Sequence, residues 1–392
     1  MLKVLQLCKK SPTPQKDGES IAIHQLSKAL LSSGAELDVI AMLTEKHPWW
    51  DLKGELAGVS YQYLHVDAQI SGFKALRSIF AETPYFVSRF YAKSFKKSIL
   101  RTLEKKDYDV IILEGIFLSP YLKLLREHSK AKIILRAHNV EHRIWERYAK
   151  EEKNFLKKMY IHIVLKRQLK RYEKRKVKKM DGVIAISPVD ELYFRNLGVK
   201  NLMVLPIAVE VLKSSLRPNI FSIGFLGSLD WLPNLRGVEW FLKEVWQEFQ
   251  AKYPEAKISL AGRNFPANLY KLPYKNIFVL GEIDNSSSFI AKQSLMIVPL
   301  FSGSGMRVKI IEAMANSKCV LTTSIGAEGI LYENHKNIYI ADSKEEWLKA
   351  LSLFYENRNK LDEIGQEAAS LVKEKYSLES HAKQLMAFLT LV

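Results

Sequence analysis

The sequence predicts an α/β protein built from two doubly wound, Rossmann-like domains. Three observations carry this. The chain has 392 residues, more than a single hydrophobic core usually serves. Short apolar runs alternate with longer segments of helical apolar spacing along both halves. A polar stretch from Pro206 to Pro218 interrupts that alternation, which places a hinge there.

In the first half the strands are Lys3 to Cys8, Leu37 to Met42, Val110 to Glu114, Ile133 to Arg136, Gly182 to Ile186 and Leu202 to Leu205. An amphipathic helix from about Glu19 to Ser32 follows the first of them after a Pro/Gly loop. The second half repeats the scheme with Ser222 to Leu226, Lys257 to Ala261, Ile277 to Leu280, Leu295 to Leu300, Cys319 to Thr322 and Ile338 to Ile340. Strands apolar on both faces and separated by helices belong in a parallel sheet covered on both sides. The expected boundaries are 1–206 for the first domain, 207–377 for the second and 378–392 for a final helix, about Leu378 to Leu391.

Composition narrows the classes. The cysteines, Cys8 and Cys319, both sit in apolar strands, which excludes a disulfide framework or a cysteine-based zinc site. No apolar run reaches the roughly 20 residues of a membrane-spanning helix, and the first residues read as a strand rather than a signal peptide. A cytoplasmic location is expected, with peripheral attachment to the inner membrane face as an addition. The formal charge of +17 calls for anionic partners. Much of it is local: between Lys153 and Lys179 lie Lys157, Lys158, Lys166, Arg167, Lys170, Arg171, Lys174, Arg175, Lys176 and Lys178, opposed by Glu173 alone. Phe155, Met159, Ile163, Leu165, Leu169, Tyr172 and Val177 recur through it at near-helical spacing. Such a helix either packs its apolar stripe on the first domain or lies on an anionic membrane surface.

The densest chemistry is in Phe301 to Ala315, FSGSGMRVKIIEAMA, directly after the strand Leu295 to Leu300. A strand that ends in small residues and restarts as a helix aims unpaired backbone N–H groups and the positive end of a helix dipole at one spot. Arg307 and Lys309 add two charges there, enough for a diphosphate, and Glu312 one turn later can accept from sugar hydroxyls. The segment resembles the donor site of family 4 glycosyltransferases, in which a small-residue loop opens a Glu-Ala-Met-Ala helix, followed by a strand and a Gly-Ala-Glu-Gly loop. Here the last two are Cys319 to Thr323 and Gly326 to Gly329. Relatives often carry a second glutamate eight positions before the helix glutamate; this chain has Ser304. The resemblance implies a GT-B architecture, two such domains facing a cleft with the final helix crossing back to the first, and it implies retention at the anomeric carbon.

Further positions fit the same pattern. Gly18, in the loop after the first strand, matches a family glycine near the sugar and phosphates; the loop lacks the GxGxxG of nicotinamide cofactors. His138, after the strand Ile133 to Arg136, matches the active-site histidine that contacts the transferred sugar or the acceptor, and it is expected to face the cleft. The run HNVEH around it lacks the glutamate of a zinc motif, and Asp107-Tyr108-Asp109 precedes a strand, the wrong end for a ligand. Gly227, followed by Trp231-Leu232-Pro233-Asn234, ends the first strand of the second domain, with Asn234 read as a helix cap. Arg263 and Ile283 end the next two strands, with phosphate or nucleobase contacts in view. The catalytic candidates are therefore His138 and Glu312. The donor-binding set is Gly18, Gly227, Arg263, Ile283, Gly303, Ser304, Gly305, Met306, Arg307, Lys309 and Glu312.

The expected function is transfer of a hexose from a nucleotide diphosphate sugar to a glycan or lipid-linked acceptor, with no metal and no cofactor. Two alternatives stay open: an inverting transferase or sugar-phosphate epimerase of the same architecture, for which Glu114 is the candidate acid or base, and a nucleic-acid binder using the basic helix. The chain offers no recognised reader module for the last, so no specific nucleic acid is expected.

Overall fold

The computed structural model describes residues 1–15, 17–48, 54–69, 78, 81–151, 159, 164–209, 218–271, 275–303 and 306–392. Contacts divide it into two compact units, Met1–Ile207 with His381–Val392, and Ala208–Ser380.

The first unit is a seven-stranded parallel sheet in the order β3-β2-β1-β4-β5-β6-β7. Its strands are β1 (Lys3–Cys8), β2 (Glu36–Leu43), β3 (Ser60–His65), β4 (Val110–Glu114), β5 (Lys132–Ala137), β6 (Gly182–Ala185) and β7 (Leu202–Val204). β1, β4 and β5 are buried almost throughout because they are central and covered on both faces. β3 was not expected: its sequence SYQYLH alternates half-buried and exposed residues at the sheet edge, so it lacks the apolar run that marks an inner strand. Asp107-Tyr108-Asp109 stands at the opening of β4, where Asp109 Oδ2 accepts the backbone N–H of Lys3 at 2.7 Å. Of the helices, α1 (Gly18–Ser32) starts at Asp17, whose carboxylate accepts from the N–H groups of Glu19 and Ser20 in a capping box. α2 (Lys93–Lys105) and α3 (Leu122–His128) precede β4 and β5.

α4 (Glu141–Glu151) precedes the basic segment and α5 (Lys166–Val177) lies within it; Lys153, Phe155, Lys157, Lys158 and Ile163 lie outside the described residues. Leu165, Leu169, Tyr172 and Val177 are buried in the hydrophobic core of the unit, while Arg167, Lys170, Arg171, Lys174, Lys178 and Lys179 are exposed. The lone acid, Glu173, is 2 % exposed. Its carboxylate meets His142 Nδ1 at 2.7 Å and accepts the N–H of Glu141 at 3.1 Å. The apolar stripe of α5 therefore belongs to the core, and only its cations are offered to a partner. α6 (Pro188–Asn196) completes the run before β7.

The second unit is a six-stranded parallel sheet in the order β10-β9-β8-β11-β12-β13. Its strands are β8 (Ser222–Leu226), β9 (Lys257–Ala261), β10 (Ile277–Gly281), β11 (Leu295–Val298), β12 (Cys319–Thr322) and β13 (Tyr339–Ile340). The helices are α7 (Leu232–Trp240), α8 (Ser286–Ala291), α9 (Val308–Ala315), α10 (Lys344–Glu356), α11 (Arg358–Lys375) and α12 (Leu378–Leu391), the last from His381 onward in the first unit. In each sheet the strand order reverses once, between β1 and β4 and between β8 and β11. Ligands of open α/β sheets bind outside the carboxyl ends of the strands at such reversals.

Because Leu169 is 1 % exposed within the core, Leu169→Ala should destabilise the protein by about 2 to 5 kcal/mol in plain buffer. Urea unfolding checks this. An unchanged midpoint would mean that the stripe is not packed.

Candidate functional site

At the β8/β11 reversal the chain leaves β11 through Pro299, turns at Gly303, whose φ is 109°, and restarts as α9. Ser304 and Gly305 lie outside the described residues. Arg307 is the residue before the helix, and no side-chain cap is made there among the described residues, so the start of α9 is a donor-rich, positive end. Arg307 is 6 % exposed, and its guanidinium lies 5.2 Å from the centre of the Trp231 ring. Lys309 Nζ donates to Asn234 Oδ1 at 2.8 Å and sits 4.7 Å from the centre of the Phe225 ring. Burial, and then the charge of Arg307, push the Lys309 pKa down to about 7. Burial also raises that of Glu312, one turn into α9.

The structure thus gathers Gly227, Gly303, Arg307 and Lys309 at one place, with Met306 between them in sequence. Positions next to Gly227 and Gly303 are filled by Lys309 Nζ and by an Arg307 nitrogen, respectively. Arg263 contributes first through its main chain: its carbonyl accepts the N–H of Leu229 at 3.0 Å, tying the end of β9 to the loop after β8. Ile283 is partly buried against the core beside β11. Asn234 does not cap a helix, since α7 begins two residues earlier, at Leu232. Its Nδ2 donates to the Ser228 carbonyl at 2.7 Å and its Oδ1 takes the lysine.

The β1/β4 reversal in the first unit holds the remaining candidates. His138 is 8 % exposed, with Nε2 2.7 Å from Glu114 Oε2. Glu114 is fully buried, and its other oxygen accepts from Gln6 Nε2 at 2.6 Å, so it serves as an anchor rather than an accessible base. A carboxylate accepts only, so Nε2 carries a proton. Nδ1 is buried and makes no hydrogen bond among the described residues. Gly18 opens α1 with no atom within 4 Å of the place a Cβ would take, so nothing in the structure requires glycine there.

Sequence reading missed the ion cluster beside His138. Lys10 pairs with Asp17 at 2.6 Å and Glu19 at 3.2 Å, and Lys9 with Glu19 at 3.1 Å. Burial opposes the charge of Glu19, yet Lys9, His138 and Lys10 outweigh it and hold its pKa down at about 2. Glu141 has the opposite fate: burial raises it to about 7, with Lys9 opposing and Glu173 and Glu19 adding to the rise. The available signal was the pair Lys9-Lys10 directly after β1.

Residues 220–357 match the family model described as Glycosyl transferases group 1. The second unit carries a glycosyl transferase group 1 domain. Over 392 residues, 96% of this chain and 97% of the relative, the sequence is 24% identical to a Klebsiella pneumoniae protein described as an uncharacterized 44.6 kDa protein in the cps region. Among solved structures, sucrose-phosphate synthase from Thermosynechococcus elongatus superposes with a TM-score of 0.68 at 15% identity, covering 100% of this chain and 99% of that one. Anabaena HepE in complex with UDP and glucose gives 0.64 at 13% identity over 100% of both chains. An S. aureus TarM variant in complex with Fondaparinux, alpha-GlcNAc-glycerol and UDP gives 0.66 at 13%, over 99% of this chain and 100% of that one. These likenesses establish the GT-B type of fold, two Rossmann-like parallel-sheet domains.

The titration of Lys309 gives a signed prediction. In the free protein its charge is lost as pH rises through about 7, and an anion bound beside it would restore it. UDP affinity should weaken as pH rises above that value, by up to about tenfold per unit. Calorimetry at pH 8 in two buffers of different ionisation heat should show close to one proton taken up per UDP. No uptake would mean that Lys309 is charged without ligand or is not at the site.

Proposed function

We propose that the protein transfers a hexose from a nucleotide diphosphate sugar to an acceptor hydroxyl during synthesis of a cell-surface polysaccharide, with retention and without a metal. The observation that carries this reading is the placement of Arg307 and Lys309 together at the uncapped start of α9, at a sheet reversal. As the anomeric C–O bond breaks, negative charge grows on the leaving diphosphate. Two cations and a helix N-terminus already aimed at it stabilise that charge without reorganisation, the task a divalent cation performs elsewhere. Glu312 orients the donor sugar. The departing diphosphate oxygen takes the acceptor proton on the same face, so the new bond forms where the old one broke.

The polysaccharide context comes from the cps-region relative, and the donor class is supported by the nucleotide in the HepE and TarM complexes. We assign acceptor recognition to the first unit, at the β1/β4 reversal beside His138. The exposed cations of α5 suit a lipid-linked acceptor on an anionic membrane, each near-surface cation contributing up to about 1 kcal/mol. No helix among the described residues is long and apolar enough to cross a membrane.

Two measurements check the reading. Transfer should persist in excess EDTA, and both Glu312→Ala and the double change Arg307→Ala with Lys309→Ala should abolish it with the melting temperature nearly unchanged. The double variant should lose at least about 2 kcal/mol of diphosphate affinity. Wild-type turnover by that variant at saturating donor would overturn the pocket. Charge reversal of Lys170, Arg171, Lys174 and Lys178 to glutamate should abolish sedimentation with acidic vesicles at low salt and leave UDP affinity intact; a wild-type protein that fails to sediment would remove the membrane from the account.

A further inference from the structure

We infer that the loop Trp231 to Asn234 is the positioning element of the diphosphate site: Trp231 holds the Arg307 guanidinium, Asn234 holds the Lys309 ammonium, and each pair fits only because a glycine stands beside it. The inference rests on the donor-site reading above and assigns roles to residues that the reading leaves idle.

The loop follows β8 and is stiff by construction. Asp230 accepts from Ser228 Oγ and from Asn264 Nδ2, the latter at 3.0 Å, which fastens it to the loop after β9. Pro233 lies in the first turn of α7, where its fixed φ suits the helix. The N–H of Asn234 returns to the Trp231 carbonyl at 2.9 Å. Trp231 and Asn234 therefore cannot drift apart independently.

Each grips one cation from the other side of the reversal. Trp231 remains 37 % exposed, an expensive place for an indole unless its face is used. The Arg307 guanidinium lies over that face at 5.2 Å from the ring centre, close enough for a cation–π attraction that leaves the nitrogens' in-plane donors to other partners. A Cβ on Gly303 would come within 2.8 Å of the indole and 3.1 Å of an Arg307 nitrogen. Asn234 is 5 % exposed. Because its Nδ2 donates to the Ser228 carbonyl, which can only accept, the amide cannot be reversed, and Oδ1 faces Lys309. A Cβ on Gly227 would stand 2.8 Å from Lys309 Nζ and 2.9 Å from Asn234 Nδ2. The same construction occurs twice, a fixed holder, a cation and a missing side chain, and both copies converge on the start of α9.

A carboxylate in the place of Trp231 or Asn234 would compete with the diphosphate; an aromatic face and an amide oxygen orient the cation without adding a negative charge.

The test is a pair of double-mutant cycles read by calorimetry with whichever of UDP, GDP and ADP the wild-type protein binds tightest. Trp231→Leu should weaken binding about tenfold in the wild-type background and under about threefold when Arg307 is already alanine. Asn234→Ala should behave likewise with Lys309→Ala, while the crossed pairs add. The corresponding nucleoside, which lacks phosphates, should bind each single variant within about twofold of wild type, and Trp231→Phe, which keeps an aromatic face, should restore most of the loss. Equal losses in both backgrounds, or equal losses for nucleoside and diphosphate, would overturn the inference while the donor reading stands. A wild-type protein that binds none of the three diphosphates would overturn the reading and the inference together.

Discussion

The structure of the second unit turns on one electrostatic constraint, the placing of two cations side by side at a buried helix start. Lys309 loses the hydration of its charge there and feels the repulsion of Arg307, and its pKa falls to about 7 as a result. The site is thus held in a condition that an anion relieves. The neighbouring features follow: the strand must end early, at Val298; small residues must follow it; the helix start must stay uncapped; and rigid neighbours must keep the two side chains in place. In the proposed reaction, binding energy from a diphosphate is then available where charge develops during transfer.

The two sheet reversals make a contrast. In the first unit Lys9 and Lys10 are matched by Asp17 and Glu19 within 3.2 Å, so that end of the sheet has settled its own charge. What remains there is His138 Nδ1, buried and without a hydrogen bond among the described residues, and the carboxyl of Glu141, raised to about 7. The proposed function gives phosphate to the second unit and the acceptor sugar to the first, although both are built on the same parallel-sheet plan.

Much of this was legible in the sequence because buried parallel strands write themselves as unbroken apolar runs: β1, β4, β8, β9 and β12 fall on the expected residues. The edge strand β3 was invisible because an edge alternates and half of SYQYLH faces out. Arg307, Lys309 and Glu312 could be picked out since their chemistry is local, all within one turn and its helix. The partners that act on them could not. Asn234 is 75 residues from the lysine it holds, and capping chemistry explained it equally well until the fold placed it. His138 could be placed at the end of its strand, but not its bond to Glu114, 24 residues away. For α5, periodicity alone could not say what covered the apolar stripe, and the core of the first unit does.

The central claim is tested most directly by a crystal structure of the protein with UDP, or with GDP or ADP if that binds tighter. The account predicts diphosphate oxygens within about 3 Å of Lys309 Nζ and of the Arg307 guanidinium, over the first turn of α9. A diphosphate bound instead at Lys9 and Lys10, or anywhere that leaves Lys309 bonded to Asn234 alone, would contradict it.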